Sequence, residues 1–301
     1  MTDKKAGNER KLLLKNLLIY LFITFALSWS AVFALNLSDI SIDFADGSAG
    51  AANFVTTFGM LCPALGMIIT RFITKEGHAF SGDGSMMLGI DLKNRKYVFY
   101  IIAVLLPWIY FELGNLLKIV LQPGCFDREY FSAVDSDVRT AYIYPLMGIV
   151  SGVFFSVGGL GEELGWRGYM MPKMIKLFGK VKGVVFGGII WGIWHWPLTY
   201  AGHNFGKSYI GYPFAGFAAM CFICIVTGIL LTFLTVRTGS IWPAAIMHAV
   251  NNTSPSIIQF FRNPDKAAGI MTNSIFSCFV YYIPALIIAV FVLIVWTKDK
   301  N

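Results

Sequence analysis

The chain has 301 residues, of which 56% are hydrophobic and 14% charged, with a formal net charge of +7. Soluble globular domains are about one-quarter charged, so this composition argues against one and for a membrane protein. The basic residues sit in tails and loops rather than on a solvated face, which argues against nucleic acid as a partner.

Eight apolar runs read as spans of a hydrocarbon core about 30 Å thick, a depth that takes about 20 helical residues. In chain order they are 17–35, 54–73, 97–117, 144–161, 183–198, 214–236, 241–258 and 275–296. The fourth and fifth are the shortest and carry polar residues. Residues 1–16 read as a cytoplasmic basic tail, with Lys4, Lys5, Arg10, Lys11 and Lys15. The run that follows is longer than a signal-peptide core and has no small-x-small cleavage site behind it, so it reads as a retained helix. No repeat or long polar linker divides the rest, and 17–297 reads as a single polytopic membrane domain. The polar loop from 118 to 143 is expected to form a small external cap.

Charge placement sets the orientation. Lys75, Lys93, Arg95 and Lys96 crowd the second loop, Lys173, Lys176, Lys180 and Lys182 the fourth, and Lys298 and Lys300 the C-terminal tail. The first loop carries Asp39, Asp43 and Asp46 and no base. The positive-inside rule therefore predicts cytoplasmic N- and C-termini. The glycine pairs Gly161/Gly165, Gly183/Gly187 and Gly188/Gly192 have the spacing that lets helices approach closely. They predict tight contact between the fourth and fifth spans. Cys221-x-x-Cys224 lies in a span without further ligands and reads as packing.

Glu162 and Glu163 stand at the end of the fourth apolar run, where a charge is costly and marks a functional site by default. Glu163 and Arg167 are i, i+4 with the acid first, the favourable order for an ion pair. Glu162 is rotated about 100° away and is left for chemistry. Trp191 and His195 repeat the one-turn spacing, as do His248 and Asn252. Depth agrees among these residues if the Glu162 helix continues through Met171 to Pro172. His78 and His203 fall in loops and read as structural, while Glu112, a lone acid in the third span, has no assigned role.

Such a set supports hydrolysis. A carboxylate removed from water holds a proton more tightly and suits a general base. One imidazole helps hold the attacking water, and a second with an amide donates to a developing oxyanion.

The pattern Glu162-Glu163-x-x-x-Arg167, aromatic-x-x-x-His195 and His248-x-x-x-Asn252, within 148–254, resembles the three motifs of the CPBP intramembrane proteases. That family holds type II CAAX prenyl endopeptidases and bacterial proteins linked to bacteriocin processing and self-immunity. Its second motif usually begins with Phe, where this chain has Trp191. The resemblance implies an all-α bundle of about eight transmembrane helices, with an intramembrane active site between helices 4, 5 and 7 that opens toward the cytoplasm. It implies an endopeptidase in which Glu162 activates water with His195, His248 and Asn252 form the oxyanion site, and Glu163 with Arg167 supports the carboxylate. The expected setting is a bacterial plasma membrane, with the lipid bilayer and a peptide or protein substrate as partners. No cofactor is favoured. Zinc stays an open alternative, with Glu162, His195 and His248 as its ligands.

Two other functions compete with this reading. One is a proton-coupled transporter, since intramembrane Glu and His also build proton relays; the internal inverted repeat usual in such carriers is not detectable. The other is a non-catalytic bacteriocin-immunity or scaffold protein of the same fold. The full set of motif residues favours the protease.

Overall fold

A computed structural model describes residues 2–37, 49–79, 84–130, 139–253, 256–266, 268–269 and 273–299. Every regular element among the described residues is helical. The acids Asp39, Asp43 and Asp46 lie outside them.

Helix α1 runs Thr2–Leu37, α2 Ala49–Thr74 and α3 Tyr97–Leu121. The basic stretch before the first apolar run is thus helical and continuous with it. The fourth run is broken at Phe155 into α4 (Thr140–Phe154) and α5 (Ser156–Gly165), bent by 55°. Helix α5 passes through a π-turn, Trp166–Met170, into α6 (Met171–Phe178). The Glu162 helix therefore continues beyond Pro172, as the depth argument requires. Next come α7 (Lys180–Trp194), short α8 (Trp196–Tyr200), α9 (Phe214–Thr238), α10 (Trp242–Thr253) and α11 (Ser274–Lys298).

Among the described residues five helices are long and apolar enough to cross a membrane, or six when the bent pair counts as one span. The expected eight full spans are not reached. The fifth run yields only the 15 residues of α7, and the seventh only the 12 of α10. At 1.5 Å per residue these helices reach about 22 and 18 Å, short of the core thickness. Proline accounts for the first break. Pro197 has no N–H for the carbonyl four residues back, so α7 stops at Trp194 and a new helix begins beyond His195. At this helix end the Trp194 carbonyl accepts from the Trp29 indole at 3.1 Å. The chain is an all-α membrane protein, and large apolar side chains such as Phe22, Phe72, Phe154, Val157 and Phe291 cover its outside.

Helix α10 lies at the middle, packed on α3, α4, α5 and α9, while α2 covers the other side of α5. Small residues permit this. A Cβ on Gly159 would meet the Ala245 carbonyl oxygen at 2.8 Å, so α5 and α10 touch through their backbones. The glycine pairs divide differently from the expectation. Gly161 and Gly165 press on Met60 and Pro63 of α2, and Gly188 and Gly192 on Ile225 and Cys221 of α9. Gly183, on Ile175, and Gly187, on Met171, join the fifth run to α6, beyond the end of the fourth run.

The described part of the loop after α3 packs against the segment that follows α10. Phe126 pairs with Arg262 in an isolated antiparallel bridge, and Asp127 accepts from Lys266 at 2.7 Å and Asn263 at 3.2 Å. The Lys266 ammonium, then Asn263, holds the Asp127 carboxyl down at about 2. Glu112 acquires a role here, for its carboxylate accepts from Ser256 Oγ and from the backbone N–H groups of Ile257 and Ile258.

Gly165→Ala tests the α2–α5 contact. The new methyl would lie 2.5 Å from backbone atoms of Pro63, and overpacking of this kind costs about 1–3 kcal/mol. A melting temperature several degrees lower in detergent is expected. Gly124→Ala, with nothing within 4 Å, should leave it in place.

Candidate active site

Three elements bring the motif residues together. The α5–α10 contact sets His248 opposite Glu163, and its Nδ1 lies 2.8 Å from Glu163 Oε1. The same oxygen accepts from Arg167 Nη1 at 3.0 Å, one helical turn along the chain. Because a carboxylate only accepts, His248 Nδ1 carries the proton. Glu163 is fully buried and Arg167 is 1% exposed. The spacing rule for Glu163 and Arg167 thus holds, and it gains a third member from a distant helix.

Glu162 is held in another way. Its Oε2 accepts from the indole N–H of Trp191 at 2.9 Å and from that of Trp166 at 3.3 Å. Oε1 takes no hydrogen bond from the described residues, and the carboxylate, 3% exposed, lines an internal cavity of about 580 Å³. Trp166 is kept in place by Tyr20, edge to face at 5.9 Å, and by Trp194 at 5.7 Å. Trp191 also lies under the Arg167 guanidinium, 4.0 Å from its ring centre, and meets the His248 ring edge on at 5.5 Å.

His195 occupies the break between α7 and α8. Its Nδ1 sits 2.9 Å from the Trp191 carbonyl oxygen, which can only accept, so Nδ1 is the protonated nitrogen. The neutral ring then has Nε2 as an acceptor. Asn252 is exposed at the end of α10 and lines the same cavity. Its Oδ1 accepts from the Asn251 amide at 3.2 Å, and Asn251 in turn hydrogen-bonds Tyr110.

All six expected residues are therefore in one place: Glu162, His195, His248 and Asn252 on the cavity wall, with Glu163 and Arg167 packed behind. Sequence reading did not find Trp166, Tyr110, Asn251 or His203. His203, read from the sequence as a structural loop residue, also lines the cavity. Only Asn251, beside Asn252 in the motif, carried a local signal. Among the described residues no three His, Cys, Asp or Glu side chains converge as metal ligands, and Glu162, His195 and His248 are no exception.

The cavity's exposed rim residues, Asn204, Ser274 and Asn252, lie at the helix ends joined by the loops after α8 and α10. Lys93, Lys96, Lys173 and Lys180 lie at the opposite ends of their helices. The exposed rim residues thus lie at the helix ends opposite these lysines, which the charge rule assigns to the cytoplasm, whereas the resemblance implied a site open toward that side.

A helical membrane bundle with a carboxylate, two imidazoles and an amide around an internal cavity defines the class of molecule. Residues 144–254 match the type II CAAX prenyl endopeptidase Rce1-like family. The CAAX prenyl protease 2 of Methanococcus maripaludis is similar, 27% identical over 99 residues that cover 32% of this chain. The match spans about a third (36%) of that curated relative's length. The family match contains all three motifs, and together the two findings support a protease of the CPBP family.

Glu163→Gln should destabilise the protein more than Glu162→Gln. The first change leaves Arg167 and His248 without their shared anion in a dry setting, where breaking a buried pair costs about 3–5 kcal/mol. The second still offers an amide oxygen to an indole N–H. Thermal unfolding of both variants in lipid nanodiscs checks the order.

Proposed function

We propose that the protein is an intramembrane endopeptidase in which Glu162 is the general base. One observation carries this reading: Oε2 is fixed by two indole donors, Oε1 takes no hydrogen bond from the described residues, and Glu162 lines a cavity together with His195, His248 and Asn252. Water held between Glu162 Oε1 and His195 Nε2 loses a proton to the carboxylate as its oxygen attacks the peptide carbon. The carbonyl oxygen, now negative, receives hydrogen bonds from the Asn252 amide and from Nε2–H of His248 in its imidazolium form. Glu163 balances that charge and keeps the ring in orientation. Glu162 then returns the proton to the leaving amine. The mechanism rests on this chain's own side chains and routes no step through a metal.

The distribution of basic residues supports a bacterial plasma membrane orientation with cytoplasmic termini, and the mouth of the cavity then faces outward.

Glu162→Gln should lower peptide cleavage by at least about 10²-fold, the usual loss on removing a general base, with folding retained. Comparing membrane-proteome fragments from cells with wild-type and variant protein provides the readout, and near-wild-type turnover would sink the assignment. Enzyme washed with a strong chelator should keep its activity. Loss on chelation with rescue by zinc would replace this mechanism by a metal-assisted one at the same residues.

Orientation has its own check. Cysteines introduced at Asn204 and Lys207 should react with impermeant thiol reagents added outside intact cells, and one at Lys93 should not. The reverse pattern would turn the molecule over and place the mouth in the cytoplasm.

A further inference from the structure

The cavity extends well past the reacting groups. Its far wall is built by α3, α9 and α11, and Lys118 is the one lysine among the described residues that line it. Lys118 stands in the last turn of α3, eight residues beyond Tyr110, which is tied to Asn251 beside the motif. Eight residues of helix rise about 12 Å, so this cation lies toward the mouth, away from the bond to be cut.

Three features make it unusual. Lys118 is only 9% exposed. Its side chain pairs with no carboxylate among the described residues; its contact is with the face of Tyr281, 4.5 Å from the ring centre. The Arg262 guanidinium adds a second positive charge to the surroundings of Lys118. The nearest acid along the helix, Glu112, is already committed to Ser256, Ile257 and Ile258. A lysine in a helix's last turn answers the negative end of the helix dipole, but that role needs no burial and no cavity. Buried charges are normally paired, and this one faces the volume that the substrate would fill.

We propose that Lys118 is a specificity-determining residue that binds a carboxylate of the substrate, seating the peptide at the mouth so that its scissile bond reaches Glu162. Tyr281 stabilises the ammonium from the side while a substrate carboxylate supplies the missing counter-charge by a charge-assisted hydrogen bond. Two sources share that chemistry, a free chain terminus and an acidic side chain. The proposal rests on the protease reading above for the bond's position, but not for the binding itself.

The test uses the full chain in nanodiscs and a library of labelled decapeptides, each made as free acid and as C-terminal amide, with and without internal Asp and Glu. Binding is measured on the Glu162→Gln protein, cleavage on the unaltered one. Peptides bearing a carboxylate should bind about tenfold more tightly than their neutral counterparts. Lys118→Met should shrink that difference to about twofold or less, and Lys118→Arg should retain most of it. For cleaved peptides Lys118→Met should raise KM and leave kcat within about twofold, as expected when ground-state binding alone is lost. Discrimination confined to free acids against amides identifies the chain terminus as the source; discrimination confined to Asp and Glu identifies a side chain. Either supports the anchor. Equal binding of charged and neutral peptides, or a preference that survives Lys118→Met, overturns it. Should Lys118→Met fail to fold, the acid–amide and Asp/Glu comparisons on the unaltered side chain still decide. Lys118-dependent binding without cleavage would defeat the protease reading alone. Cleavage indifferent to carboxylates would defeat the anchor alone.

Discussion

Glu163 is the point at which this bundle is tied together. Its Oε1 lies within hydrogen-bond reach of a guanidinium from its own helix and an imidazole from α10, in a region from which water is excluded. A charge in such a place is tolerated only when it is paired, so each partner depends on the others being present. The geometry follows from that dependence. Glu163 fixes His248, the π-turn carries Arg167 beneath it, and both acids are aligned because they are consecutive on one helix. Glu162, rotated by 100° about that helix, is thereby aimed into the cavity rather than at the arginine.

Trp191 performs the equivalent task across the site. The indole N–H holds Glu162, the ring face carries Arg167, the ring edge meets His248, and the backbone carbonyl fixes the tautomer of His195. Here the departure from the usual Phe gains a physical meaning. A phenyl ring could supply the face and the edge but has no N–H to donate. In this chain one oxygen of Glu162 is therefore restrained from α7 as well as from Trp166 on its own helix. That restraint commits Oε2 and leaves Oε1 without a hydrogen-bond partner among the described residues.

Much of this was legible beforehand, because its causes are local. Hydropathy located each helical run, and one-turn spacing paired Glu163 with Arg167 and placed His248 on one face with Asn252. The requirement that the polar residues share a depth predicted a helix continuing past Pro172. What escaped was set by distant contacts. Nothing in the sequence around Tyr110 points to Asn251, and nothing around Trp166 indicates that its indole reaches the base. The count of spans failed for a related reason. Hydropathy reads α7 and α8 as one run although Pro197 divides them, and it reads past the end of α10 because Ile257 and Ile258 resume an apolar stretch soon after Thr253. The glycine spacing revealed that backbones would touch, but spacing alone does not name the partner helix.

The breaks that spoiled the span count are also what build the site. An uninterrupted fifth span would keep the carbonyls of α7 within its own ladder, and His195 would be one more side chain along a helix face. Ending α7 at Trp194 places His195 at a turn, where its ring can fold back on the Trp191 carbonyl and present the other nitrogen to the cavity. The bend at Phe155 likewise turns α5 away from the line of α4 and lets it run between α2 and α10, with glycines on both sides. Broken helices are tolerated at membrane depth only where protein or a polar cavity surrounds them. Here both conditions are met at one place, and it is the place where the carboxylates, the imidazoles and the amide converge.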